Sequence, residues 1–129
     1  MALPIVGAHF RPPAKALLEV LPSGAPLWLR PEPDNPYDAN AIQVGVDRSE
    51  IEALSQAMKA ELETLALGYG FDLEGILSEP EWHLGYIPRT VAASLTLAPG
   101  KHPASLAFDP AGKPMVATAK ADASAPEPS

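Results

Sequence analysis

Sixteen prolines stand in this chain of 129 residues, about 12% against a usual ~5%. Eight fall within the first 36 residues, and none lies between Tyr37 and Glu79. Each proline removes a backbone donor and fixes φ, so the first third excludes one long helix or a run of central strands. Short extended pieces joined by rigid turns are expected there instead.

The elements follow that punctuation. Leu3 to Phe10 alternates as a first strand, and Pro12-Pro13 opens a short helix over about 13–21, stopped by Pro22-Ser23-Gly24. Leu27 to Arg30 reads as a second strand, Pro31 to Pro36 as a loop of turn formers, and Ala41 to Val46 as a third strand. Ser49 with Glu52 three residues on has the form of a capping box. Ile51, Leu54, Met58, Leu62 and Leu65 then recur at helical spacing, which predicts one amphipathic helix over about 49–67, ended by Gly68 and Gly70, with its stripe in the core. Trp82 to Ile87 predicts another strand, Pro88 a short helix over about 88–97, and 105–108 with 115–119 a closing hairpin. The fold class expected is α+β, mainly β: a small antiparallel β-barrel of OB-like type with helical inserts. It is expected as one domain over 1–119, with 47–81 as an acidic helical insertion and 120–129 as a disordered tail.

Charge is as localised as proline. Between Asp47 and Glu81 nine acids face two bases, which accounts for the whole net charge of −7; the remainder of the chain is balanced. Affinity for phosphates follows the local patch, so a global acidic balance does not exclude a nucleic-acid ligand. Without cysteine there is no disulfide, thiol nucleophile or thiolate metal site, and His9, His83 and His102 lie too far apart for a local ligand pair. No apolar run reaches membrane-spanning length and the start lacks the build of a secretory signal, so a cytoplasmic protein is expected.

Three stretches carry more than fold information: Val6-Gly7-Ala8-His9-Phe10, then Pro31-Glu32-Pro33-Asp34-Asn35-Pro36-Tyr37-Asp38-Ala39-Asn40-Ala41-Ile42-Gln43-Val44, then Leu84-Gly85-Tyr86-Ile87-Pro88-Arg89. Together they resemble the HIRAN domain, over about 1–46 and 82–97, half of the chain. The middle stretch is the specific one, an N-P-Y-D-x-N-A-I-x-V entering a strand. The resemblance implies a partly open β-barrel related to the OB fold that binds single-stranded DNA and favours a free 3′ end. It places Phe10 and Tyr37 at aromatic positions that hold terminal bases and Asp38 at the acid that recognises the 3′-hydroxyl. His9 falls where a basic residue reaches phosphate, and Tyr86 and Arg89 fall along the same groove.

The chemistry of these positions supports more than one reading. Tyr37 reads as a stacking face ahead of a cover for the Pro36 turn, whereas Phe10 reads equally as a stacking face or a barrel plug. Trp28, Trp82 and Phe108 lie within strand patterns and are expected in the core. A carboxylate at Asp38 suits a ligand only where that ligand offers a donor, as a 3′-hydroxyl does; the commoner role of such an aspartate is an Asx-turn, and the two are compatible. Asn35 and Asn40 are expected to shape the loop, with Asn40 buried at the barrel mouth. Arg89 follows Pro88 at a helix amino end, which attracts anions, and reads as a contact or as a solvated side chain. The other cations outside the acidic stretch and ahead of the tail are Arg11, Lys15, Arg30, Lys101 and Lys113.

No Walker-type, Gly-x-Ser-x-Gly or His-Glu-x-x-His motif occurs, and Asp34 with Asp38 is ordinary loop chemistry rather than a magnesium site, so no enzyme and no cofactor is expected. The expectation is a monomeric, non-catalytic DNA-end-binding module for DNA repair or replication, with a helicase or nuclease acting in trans. The competing expectation is a protein-interaction module that uses the acidic helix to dock on a DNA-processing enzyme.

Overall fold

Alternating apolar residues between the proline turns become antiparallel strands in the computed structural model, which describes residues 2–118 apart from the side chains of His9 and Thr118. The expected tail over 120–129 lies outside the described residues. The strands are β1 (Ala2–Pro4), β2 (Pro26–Pro31), β3 (Ile42–Asp47), β4 (Glu81–Tyr86), β5 (His102–Phe108) and β6 (Pro114–Thr118). They form one antiparallel sheet in the order β1-β6-β5-β2-β3-β4.

The two edges of that sheet meet. Beyond β1, Val6 exchanges backbone hydrogen bonds with Tyr86 of β4, at 2.8 Å from its N–H and 2.9 Å to its carbonyl. The sheet is thereby curled into a half-barrel. Close passage of the chain at this seam depends on Gly85: a Cβ there would lie 2.6 Å from the Val6 carbonyl oxygen. The expected strand over Leu3 to Phe10 is therefore shorter, because the chain leaves β1 to cross the seam and then tightens into a 3₁₀ turn over Ala8–Phe10.

Helix α1 (Pro12–Val20) starts on the two prolines as expected and buries Ala14, Ala16, Leu17 and Leu18, packing against β4 and the later helix over Gln56–Gly68. The inner sheet face adds Leu27, Leu29, Val44, Val46, Leu84, Leu106 and Val116 to one continuous core. No helix among the described residues is long and apolar enough to cross a membrane.

The single helix expected over 49–67 is two: α2 (Arg48–Glu52) and α3 (Gln56–Gly68). Ser49 lies inside α2, and the capping serine is Ser55, whose hydroxyl accepts from the Met58 N–H at 3.2 Å. A serine hydroxyl that satisfies an orphan donor competes with helix continuation, and here it wins. The apolar stripe survives the break: Ile51, Leu54 and Leu62 are buried, and Met58 and Leu65 pack against the core. Ser55→Ala is accordingly expected to cost about 1 kcal/mol of stability and Ser49→Ala no more than ~0.5 kcal/mol, read by urea unfolding. Equal effects would return the cap to Ser49.

A further helix, α4 (Leu73–Leu77), has no counterpart in the sequence expectation. Asp72 caps it by accepting from the Gly75 N–H at 2.6 Å, and the Trp82 indole N–H donates to the Ile76 carbonyl at 2.5 Å, tying it to β4. The helix expected over 88–97 is one turn, α5 (Arg89–Ala92). Past it the chain bonds three residues back, Ser94 N–H to Val91 and Leu95 N–H to Ala92, and the Ser94 hydroxyl also donates to the Val91 carbonyl at 2.7 Å. A four-residue turn has little dipole, so the anion attraction expected of a helix amino end at Arg89 is not provided by α5.

Candidate nucleic-acid interface

The loop between β2 and β3 is built by its own polar side chains. Asn35 Oδ1 accepts from the N–H groups of Tyr37 at 2.8 Å and Asp38 at 3.0 Å, while its Nδ2 donates to Glu32 Oε1 at 2.9 Å. Asp38 Oδ1 accepts from the Asn40 N–H at 3.0 Å, the expected Asx-turn. Asn35 thus shapes the loop as expected, but Asn40 is exposed and not buried at a barrel mouth, and it enters the turn through its backbone N–H.

Glu32 anchors this loop to the sheet. Its Oε1 also accepts from the Tyr86 hydroxyl at 3.1 Å, and its Oε2 accepts from Gln43 Nε2. A carboxylate with several donors fixes the geometry around it, and the ligand-facing residues inherit that order. Tyr37 stands out from the loop, 86% exposed, so it does not cover the Pro36 turn.

Arg89 reaches across from the other chain segment. Its Nη2 donates to the Tyr37 carbonyl at 3.4 Å, and its Nε lies 3.8 Å from Asp38 Oδ2, with the arginine side chain 72% exposed and the aspartate side chain 19% exposed. Asp38 therefore spends one oxygen on the turn and turns the other toward a cation. Tyr37, Asp38 and Arg89 form one group, and Tyr86 joins it through Glu32 and Asn35.

The remaining two expected residues lie beyond Tyr86. The Arg11 guanidinium stacks on the Tyr86 ring, 5.2 Å from its centroid, and Nη1 donates to the Gly7 carbonyl at 3.3 Å. Its neighbour Phe10 is 76% exposed, which excludes the barrel-plug reading. Phe10 borders a groove of about 500 Å³ with Arg11, Phe71, Trp82 and His83 and with the acids Glu79 and Glu81. His9 belongs to the same 3₁₀ turn, and its side chain lies outside the described residues. Arg11 and Glu32 are the parts of this surface that sequence reasoning did not place in the site. Arg11 follows Phe10 directly, but besides its loop neighbour Asn35 the partners of Glu32 lie 11 and 54 residues away and leave no local signal.

The core expectation holds for Trp28, 4% exposed, and for Trp82, half-buried against the core. It fails for Phe108, 38% exposed at the end of β5, beside the turn that leads into β6. Around Trp28 a charge network consumes two of the cations. Arg30 donates to both Glu81 oxygens at 3.2 and 3.4 Å, and Lys101 Nζ lies 3.1 Å from Asp47 Oδ1 and from Glu81 Oε1. Both cations also sit over the indole, at 4.4 and 5.4 Å from its centroid.

This network sets a pH dependence. Burial pushes the Glu81 carboxyl up, but hydrogen bonds and charges from Arg30 and Lys101 outweigh it and hold Glu81 below the ordinary carboxylate range. Hydrogen bonds from Asp47 and Glu81 hold the Lys101 ammonium above the ordinary lysine range. The unfolded chain thus takes up the Glu81 proton first. The stability carried by this carboxylate is complete above the ordinary value of about 4.3 and is lost as pH falls through the lower folded value. Glu81→Gln is expected to flatten the acid limb of the stability–pH curve measured by urea unfolding; an unchanged acid limb would remove Glu81 from that role.

Among the described residues no group of three or more His, Asp or Glu side chains is placed to share a metal ion. Comparison with protein-family models, with curated proteins and with solved structures returns no match.

Proposed function

We propose that this chain is a non-catalytic HIRAN-like module that binds single-stranded DNA by a free 3′-hydroxyl end. The observation that carries the reading is the grouping of an exposed aromatic face and a half-engaged carboxylate on one internally bonded loop, Tyr37 and Asp38, with the exposed guanidinium of Arg89 reaching them from α5. A terminal nucleotide offers the complementary set. Its base stacks on Tyr37, its 3′-hydroxyl donates to Asp38 Oδ2, and its phosphate pairs with Arg89. Tyr86 with Arg11 and Phe10 continue the surface as the next aromatic and cationic positions, with His9 beside them. A 3′-phosphate would meet the Asp38 carboxylate as like charge, which makes the end selective.

The pre-bonded loop lowers the ordering cost of binding, because Asn35 and Glu32 already hold the backbone under Tyr37 and Asp38. In this reading cleavage or unwinding is left to a helicase or nuclease in trans, and the module serves DNA repair or replication in the cytoplasm. Fluorescence anisotropy at low salt tests it, with short single strands ending in 3′-hydroxyl or 3′-phosphate and a blunt duplex. The 3′-hydroxyl strand is expected to bind at least tenfold more tightly than the other two. Equal binding of all three would remove end recognition. Binding to none would leave the acidic surface of α2 and α3 as the working face for a protein partner.

A further inference from the structure

We propose that the nucleotides upstream of the bound end run through a second groove, on the far side of the Gly7–Ala8 turn, where Lys15 and Lys113 take their phosphates and Phe108 a base. This rests on the end-binding reading and extends it to a surface outside the three motif stretches' aromatic and acidic positions. The groove, about 860 Å³, lies between the residues after β1, helix α1 and the β5–β6 turn. Ile5, Val6, Leu18 and Phe108 line it, with Lys15 and Lys113 at its sides.

Two observations favour a single strand as its occupant. First, the distribution of free cations is uneven. Among the described residues Arg30, Arg48, Arg89 and Lys101 are paired with carboxylates. Arg11, Lys15, Lys59 and Lys113 are not, and three of these four gather around Gly7: Arg11 bonds its carbonyl, and the two lysines share its groove. In a chain of net charge −7 this is a local cationic strip. The groove's own acid, Glu19, is engaged by the Tyr69 hydroxyl at 3.2 Å.

Second, the strip is continuous with the end site. Arg89 contacts Asp38 and the Tyr37 carbonyl, Tyr86 reaches that loop through Glu32, Arg11 stacks on Tyr86, and Arg11 bonds Gly7 at the mouth of the groove. Alternating cations and flat faces along one path are what a single strand needs, because phosphates track charge and bases of any sequence stack on aromatic rings. Exposed Val6 and Phe108 at the groove are accounted for by the same occupant.

The test uses the full chain, the Lys15→Gln/Lys113→Gln variant, and 3′-hydroxyl strands of about 3 and about 12 nucleotides, lengths that bracket a usual single-strand site. Wild type is expected to bind the longer strand more tightly than the shorter, and the variant to lose that gain while binding the short strand as wild type does. Each neutralised phosphate contributes about 0.7 to the salt slope. The variant's slope on the long strand should therefore fall by about 1.4, and its affinity should drop roughly sevenfold less than wild type between about 50 and 200 mM salt. Lys15→Arg/Lys113→Arg should restore the gain, which separates charge from any packing change at half-buried Lys15. An unchanged long-strand affinity and slope in the glutamine variant would overturn the track and leave end recognition standing. Failure of wild type to bind either strand would overturn both. Displacement of the long strand by poly-glutamate at equal charge would assign the groove to an acidic peptide and overturn the track.

Discussion

Tyr37→Ala is expected to weaken binding of a 3′-hydroxyl single strand roughly ten- to a hundredfold, the loss of about 1.4–2.8 kcal/mol that removal of one stacked base entails. The same substitution should leave stability within about 0.5 kcal/mol, because the ring is 86% exposed and its backbone is held by Asn35 rather than by the side chain. Asp38→Asn sharpens the test. An asparagine oxygen can still accept from the Asn40 N–H, so the turn persists while the charge is lost. The variant is expected to bind 3′-hydroxyl and 3′-phosphate strands within about threefold of each other, the like-charge penalty having gone. Both variants are read by anisotropy against unchanged thermal midpoints. If Tyr37→Ala binds as wild type does, the loop is a fold feature and the surface is used otherwise.

Gly45→Ala is expected to destabilise the protein by about 2–3 kcal/mol and to lower the thermal midpoint by roughly 8–15 °C. A Cβ at this position would lie 2.0 Å from Trp28 Cζ2 and 2.4 Å from Cη2, well inside contact distance. The strand register makes the conflict unavoidable, since Trp28 and Gly45 are directly paired across β2 and β3. The indole has little room to retreat. Arg30 and Lys101 cover it, and His83 meets it edge-on with ring centroids 5.7 Å apart. Moving the ring would disturb the Arg30–Glu81–Lys101 pairs as well. Trp28→Leu in the same chain should recover part of the loss, because the two residues are coupled by contact. A midpoint within about 2 °C of wild type for Gly45→Ala would mean that the indole relocates at little cost.

These two predictions differ in how far they could be read without a structure. The turn under Tyr37 depends on Asn35 and Asp38 bonding N–H groups two or three residues away, and such chemistry is written locally. The notch at Gly45 depends on a residue seventeen positions earlier, and a glycine within Ile42-Gln43-Val44-Gly45-Val46 shows no more than that something approaches closely. The same division explains the corrected elements. Ser55 and Asp72 each cap the N–H three residues on, signals present in the chain; that of Ser55 is outweighed by the longer Ile51 to Leu65 stripe, and that of Asp72 opens a helix of only five residues, too short for a periodic pattern. The length of β1 and the exposure of Phe10 follow from the seam with Tyr86, which no window of neighbouring residues contains.

By itself, then, the amino-acid sequence determined the strand-rich class, the helix opened by Pro12-Pro13, the core stripe and the turn chemistry of the Asn35–Asn40 loop, because periodicity, fixed φ angles and short-range hydrogen bonds act within a few residues. The tertiary structure alone decided which charges cancel and which remain. The acids Asp47 and Glu81 meet Arg30 and Lys101 only once β2, β3 and β4 lie in one sheet beside the approach to β5, and Glu32 gathers Tyr86 and Gln43 only through the sheet, in addition to its loop neighbour Asn35. Electrostatic pairing depends on distance in space and not along the chain. The segment richest in acid is thereby neutralised in part at Trp28, while Arg11, Lys15 and Lys113 lie around Gly7 without a carboxylate partner.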